Sequence, residues 1–138
     1  MGPLVDIRDL KVEATTDAGR RVEIIRGVSF EIAPGEIVAL IGESGSGKTT
    51  IALTLLGYTR TGCRITGGSV RVDGRDMAAL SEKERAKVRG VAVSYVPQSA
   101  AAAFNPAQRI MHQVIEITRI HELMPRAQAE AKAIDLFR

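Results

Sequence analysis

The sequence predicts an α/β fold: a mostly parallel sheet, with antiparallel hairpins in the first part of the chain and helices toward its end. Three observations carry this. Two-residue alternation of apolar and polar side chains recurs in the first third of the chain, which marks half-buried antiparallel strands. Residues 37–41 are five apolar side chains in a row, the pattern of a strand covered on both faces. A glycine-rich loop follows at once, and after it a segment whose apolar residues share one helical face. The chain has 138 residues, 45% hydrophobic and 25% charged, which suits one ordinary globular domain. Only 4% are aromatic and none is Trp, so the core must be built from Val, Ile, Leu and Ala.

Taken in order, Leu10, Val12 and Ala14 alternate with Lys11 and Glu13, and a polar loop through Asp17 and Gly19 leads to a second extended stretch at 22–25, together a hairpin. Val28, Phe30 and Ile32 alternate in a third strand that ends at the Pro34-Gly35 turn. Residues 36–41 are the candidate central strand. Ile51, Ala52, Leu55 and Leu56 lie on one face of the next helix, and Gly57 is placed to stop it. Val70 and Val72 alternate ahead of an Asp73-Gly74 turn. Ser81 and Glu84 have the spacing of a capping box for a short helix that runs to Gly90, and 91–96 is another apolar strand. Ile110, Val114 and Ile117 sit at helical spacing, Pro125 interrupts that pattern, and an Ala-rich helix closes the chain.

The loop carries the chemistry. GESGSGKT, residues 42–49, fits Gly, four residues, then Gly-Lys-Ser/Thr. A polyphosphate needs a dense set of hydrogen-bond donors, and a loop with little Cβ bulk lets successive main-chain N–H groups curl round it. Gly42, Gly45 and Gly47 permit that curl, with Glu43, Ser44 and Ser46 between them, and Thr50 adds an amide at the start of the helix. Lys48 reaches the outer phosphates, and the Thr49 hydroxyl suits Mg²⁺, which takes few protein ligands and keeps several waters. The motif points to a nucleotide without saying which one.

Other features exclude function classes. Nineteen basic and sixteen acidic side chains, interspersed, leave +3 and no broad positive face for nucleic acid. Cys63 is the only cysteine, so no internal disulfide forms and an idle thiol in a reducing compartment is expected. No apolar run approaches the ~20 residues of a membrane span. Residues 1–6 lack a signal-peptide pattern, so a cytoplasmic protein is expected. His112 and His121 lie nine apart, without metal-ligand spacing, and are read as surface or rim residues. The charged run 81–89 reads as a solvated helix face with internal ion pairs. Met111 and Met124 read as packing residues.

Beyond the loop, the order of segments resembles the nucleotide-binding subunit of ABC transporters over nearly the whole chain. The resemblance rests on GVSFEIAPGEIVALIGESGSGKTT with its Pro34-Gly35-Glu36 turn, on GGSVRVDGRDM, and on VSYVPQ, whose Gln98 falls at the family's Q-loop glutamine. Gln98 followed by Asn105-Pro106 is similar to the oligopeptide, dipeptide and nickel importers. The resemblance implies a P-loop NTPase core with an antiparallel β subdomain over about 1–98, and a Q-loop with the start of a helical subdomain over about 98–138. It implies ATP and Mg²⁺ as ligands, Lys48 and Gln98 as the residues acting on the reaction, and Gln98 beside Thr49 at the metal. A neutral amide suits that role because it both accepts from a metal-bound water and donates, without adding charge.

The same resemblance implies partners: transmembrane permease subunits, a second ATP-binding domain, a solute-binding protein indirectly, and no nucleic acid. The location implied is peripheral, at the cytoplasmic face of the inner membrane. Residues 100–111, unusually apolar for a loop, read either as a surface facing the permease or as a locally buried Ω-type loop. Where the family stacks adenine on an aromatic ring, this sequence has Ala14 and Thr15. The family's LSGGQ-type signature, its Asp-Glu-ending strand and its later His do not occur before Arg138. The chain is therefore expected to be an incomplete ABC-type domain that binds ATP and hardly hydrolyses it. Two other readings of the loop stay open, a soluble P-loop kinase or GTPase and a non-catalytic regulatory nucleotide binder.

Overall fold

The computed structural model describes residues 2–138; Met1 and the Ala100 side chain lie outside the described residues. The chain divides into two units, Met1–Ser94 and Tyr95–Arg138.

The first unit is built on β1 (Val5–Thr15), β2 (Arg21–Ile32), β3 (Cys63–Val72) and the short β4 (Arg75–Asp76), ordered β2-β1-β3-β4. Every pairing is antiparallel. The expected first hairpin is present, with Gly19 at φ 75° in its turn. The expected third strand at 28–32 is instead the second half of β2, which runs on without a break. Gly27 makes this possible. It takes φ 100° opposite a bulge in β1, where Asp9 has φ 44° and the register slips on either side of Leu10. A Cβ at Gly27 would lie 2.7 Å from Asp9 Oδ1, and Asp9 N donates to Ser29 Oγ at 2.8 Å. The strand therefore absorbs the irregularity as a bend instead of ending there.

Ile7, Leu10, Val12 and Val70 are fully buried on this sheet and pack with Ile51 of α1 (Lys48–Thr54), Met77 and Val88. Local signals fall where their chemistry puts them. Asp73 and Gly74 take φ 50° and 73° in the β3–β4 turn, the two positive values a tight hairpin turn needs. The capping box at α2 (Glu82–Val88) is complete: Glu84 N donates to Ser81 Oγ and Ser81 N donates to Glu84 Oε2 at 2.8 Å. Gly57, at φ 68°, follows the last turn of α1, with Tyr58 N donating to Leu53 O.

The two expected parallel strands do not form. Residues 36–41 have no ladder, and Ile37 and Ile41 are 96% and 94% exposed. In 91–96 the only pairing is an isolated bridge from Val93 to Arg89, and Val96 is 89% exposed. A parallel strand takes its hydrogen bonds from neighbours on its sides, and among the described residues no strand lies beside either segment. Apolar pattern marks a strand's preference but does not supply its partner.

The second unit holds α3 (Ala100–Ala103), α4 (Ile110–Val114), α5 (Glu116–Ile120) and α6 (Arg126–Leu136). The expected helical stripe is split at Ile115, whose φ −91° and ψ 5° leave the helical region. Ile115, Ala129 and Ala133 form the small core, with Met111, Val114 and Met124 packed against it, as the methionines were expected to be. Ile110 and Ile117 stay exposed, so the bend has moved the buried position to the residue that a straight stripe leaves out.

Candidate functional site

Residues 42–47 form a loop, exposed over 42–46, that enters α1 at Lys48. Its glycines answer to distinct constraints. Gly45 and Gly47 take φ 81° and 92°, where a side chain is strained. Gly42 has ordinary φ but no room, since a Cβ there would lie 2.6 Å from Ser46 Oγ. A Cβ at Gly47 would meet Ile25 Cδ1 at 2.5 Å, so the end of the loop rests on β2.

Lys48 closes the loop. Its ammonium donates to Gly42 O and Glu43 O, both at 2.6 Å, and to Ser46 Oγ at 3.2 Å. Ser46 N donates to Glu43 O and Ile51 N to Gly47 O. No hydrogen bond among the described residues engages the amides of Gly47, Lys48, Thr49 and Thr50. That is the expected consequence of a helix start, where the first amides have no partner one turn back. Thr49 is exposed, whereas Thr50 is buried at 7% exposure. The structure thus brings Gly42, Glu43, Ser44, Gly45, Ser46, Gly47, Lys48, Thr49 and Thr50 together, as one continuous stretch must. The donor set fits a polyphosphate and a Mg²⁺ ion: a run of uncommitted amides, an ammonium over the loop, and an exposed hydroxyl at its end.

Gln98 belongs to the other unit, where it is exposed at a bend two residues before α3. It closes no strand. Ala101, Ala102 and Ala103 are exposed, as are residues 105–110, so this stretch is not the locally buried loop that was one of its two readings. Gln113 holds it: Gln113 Oε1 accepts from Asn105 N at 2.8 Å, and Gln113 Nε2 donates to Asn105 O at 3.0 Å and Gln108 O at 3.1 Å. Asn105 Oδ1 also accepts from Ala107 N, an Asx turn. Gln113 has no motif of its own and could be found only from the fold. His112 is exposed, with Nε2 3.4 Å from Arg126 Nη2, on the rim of a cavity of about 570 Å³ lined also by Ile115, Leu123 and Met124.

The charged run 81–89 is less solvated than expected. Arg89 Nε donates to Leu56 O at 2.7 Å, its guanidinium lies 3.6 Å from the Tyr58 ring centroid, and it pairs with Glu82. Arg85 donates to Met77 O at 2.9 Å and Ala78 O at 3.0 Å. Arg89 thus ties the end of α2 to the far end of the helix that begins at the loop, and Arg85 ties α2 to the segment after β4. The hydrogen bond from Arg89, then the charges of Arg89 and Arg85, hold the Glu82 carboxyl below its ordinary range, and the hydrogen bonds from Ser81 do the same for Glu84.

The sequence that carries this loop has counterparts among known proteins. The ABC transporter family model matches residues 25–137, and the chain belongs to that family. It is 34% identical over 137 residues to the oligopeptide transport ATP-binding protein OppD of Mycobacterium tuberculosis, covering 99% of this chain and 22% of that protein. With the oligopeptide transport ATP-binding protein AppD of Bacillus subtilis it shares 32% identity, over 99% of this chain and 42% of the other. With the probable D,D-dipeptide transport ATP-binding protein DdpD of Escherichia coli it shares 36%, over 97% and 41%. The chain thus spans between a fifth and just over two-fifths of the length of these curated relatives. No helix among the described residues is long and apolar enough to cross a membrane.

Proposed function

We propose that the chain is part of the ATP-binding subunit of an ABC transporter importing peptides or similar small solutes. The observation that carries this is the loop at 42–49, with two glycines at positive φ, four uncommitted amides at its end and Lys48 folded over it. Membership of the family and likeness to peptide-transport ATP-binding proteins over almost the whole chain support the choice of system.

In this reading the amides from Gly42 to Thr50 cradle the β and γ phosphates. Lys48 exchanges its bonds to Gly42 O and Glu43 O for phosphate oxygens, a charge-assisted contact stronger than the neutral ones it leaves. Thr49 and Gln98 would hold Mg²⁺, which supplies charge neutralisation on the phosphates when bound. Gln98, on the exposed stretch ahead of α3, passes the presence of nucleotide to the helical part, and residues 100–111, of which 101–103 and 105–110 are exposed, face the permease. Residues 1–98 are read as a P-loop core with an antiparallel β subdomain, and 98–138 as the start of a helical subdomain. A second ATP-binding domain, permease subunits and, indirectly, a solute-binding protein complete the system at the cytoplasmic face of the membrane. Hydrolysis belongs to the assembled system. These 138 residues carry no LSGGQ-type signature or Asp-Glu strand, and alone they turn ATP over slowly.

The test is calorimetric MgATP binding to the chain and to Lys48→Ala, alongside ATP turnover. The expected result is binding that weakens about 10- to 150-fold in the variant, for a lost charge-assisted contact of roughly 1.5 to 3 kcal/mol, with negligible turnover by either. Equal affinity of the two forms removes Lys48 from the site and the reading with it.

A further inference from the structure

A glycine-rich loop has few side chains to hold it, so the placement of its donors depends on what it touches. The hydrogen bonds of residues 42–47 run within the loop or to α1: from Lys48 to Gly42 O, Glu43 O and Ser46 Oγ, from Ser46 N to Glu43 O, and from Ile51 N to Gly47 O. Bonds of that kind set the loop's curvature and leave its place on the sheet to packing. Gly47 is where packing enters. It is the N-cap of α1, at φ 92° and ψ 5°, and no side chain hydrogen-bonds at that cap. A Cβ there would point at β2, 2.5 Å from Ile25 Cδ1, 3.6 Å from Ile24 O and 3.8 Å from Ile24 Cγ2.

Ile25 is a firm support. It is 3% exposed, shares the core cluster with Ile51 of α1, and pairs across the sheet with the fully buried Val12. Its branch at Cβ restricts χ1. The sheet is also irregular at this point: Val12 stands opposite Ile25 and Glu13 opposite Glu23, which leaves Ile24 as an extra residue with no partner in β1. A bulge re-aims the side chains beside it. The bulge and the contact with Gly47 thus fall on the same two residues, Ile24 and Ile25. The run of uncommitted amides, Gly47 to Thr50, starts at that contact.

We infer that Ile25 is a positioning residue for the loop: its Cδ1 methyl, seated under Gly47, sets where the amides of residues 47–50 stand for an anion. The inference rests on the nucleotide-binding reading above and deepens it. Donors keep their strength toward a ligand only when held to within ~0.5 Å. Ile25→Val deletes the Cδ1 methyl alone, so Gly47 loses its seat while β2 keeps a buried, β-branched residue.

Ile7→Val is the matched control. Ile7 is fully buried in the same cluster and loses the same methyl, but its partner in β2 is Phe30, five positions along the strand from Ile25. Dissociation constants for MgATP are measured on the parent chain, Ile25→Val and Ile7→Val, under conditions where circular dichroism shows all three folded. The expectation is affinity weakened about fivefold or more by Ile25→Val, since a 1 Å misplacement costs ~100-fold, and held within about twofold by Ile7→Val. Without nucleotide, the amide NMR resonances of residues 47–50 shift in Ile25→Val and stay in place in Ile7→Val. Equal weakening by the two variants would make affinity a matter of core packing at large, and unchanged affinity in Ile25→Val would mean that the loop holds itself. Either result overturns the inference and leaves nucleotide binding standing. Failure of the parent chain to bind MgATP refutes the nucleotide-binding reading itself, and the inference falls with it.

Discussion

Replacing Arg89 with alanine tests how the helix behind the loop is anchored. Arg89 is only 14% exposed in its side chain, and its contacts include Leu56 O, the Glu82 carboxylate and the face of Tyr58. The hydrogen bond from a charged donor to Leu56 O is worth about 1.5 to 3 kcal/mol. The cation–π contact adds about 0.5 to 1 kcal/mol. Glu82 is well exposed, so its pairing adds little beyond the geometry it imposes. Truncation should therefore cost about 2 to 4 kcal/mol, read by urea unfolding followed by circular dichroism. Two controls separate the contributions. Tyr58→Leu should remove the ring contact alone, and the Arg89→Ala/Tyr58→Leu pair should be less than additive by about the ring's share. In Arg89→Ala the Glu82 carboxyl should also titrate higher by NMR, because the guanidinium is the first cause of its lowered pKa. A loss below about 0.5 kcal/mol would refute the argument, and would mean that α2 holds the end of α1 by apolar packing alone.

Two further predictions concern the sheet and the cap. Gly68 has φ 81°, and a Cβ there would lie 2.3 to 2.5 Å from main-chain atoms of Arg8 and Asp9, which cannot move aside. Gly68→Ala should therefore abolish cooperative unfolding or cost more than about 3 kcal/mol, whereas Gly74→Ala, with open space around it, should cost only the ~1 kcal/mol of a strained φ. Ser81→Ala removes the capping box and should cost about 1 kcal/mol. It should also flatten part of the acid dependence of stability. The Glu84 carboxyl is lowered in the folded chain chiefly by Ser81, so its contribution is present above the unfolded pKa and is lost as pH falls through the lowered folded one. A variant whose stability between about pH 6 and pH 3 tracked the parent's would exclude that link.

The site was legible at the level of the loop because its constraints are local. Glycines at 42, 45 and 47, a lysine and a threonine are consecutive, and their geometry follows from which residues tolerate positive φ or close approach. The Asp73-Gly74 turn, the Ser81–Glu84 box and the Gly57 stop were legible for the same reason: each closes within about four residues. Features that depend on residues far apart in the chain were not. Arg89 reaches Leu56 across 33 positions, so a run of charges that reads as a solvated face turns inward once α1 and α2 meet. Gln113 gains its role only when Asn105 is brought back against it.

The two apolar segments mark the boundary between what the amino-acid order determined and what tertiary structure decided. Order alone determined the glycine-rich loop, the caps and the tight turns, because backbone sterics and short-range hydrogen bonds act before any packing does. Tertiary structure decided that β2 runs through Gly27 as one bent strand, that Ile115 and not Ile117 is buried, and that 36–41 and 91–96 carry no ladder. A strand is a relation between two stretches of chain, and hydrophobic pattern in one of them cannot create the donors and acceptors of the other.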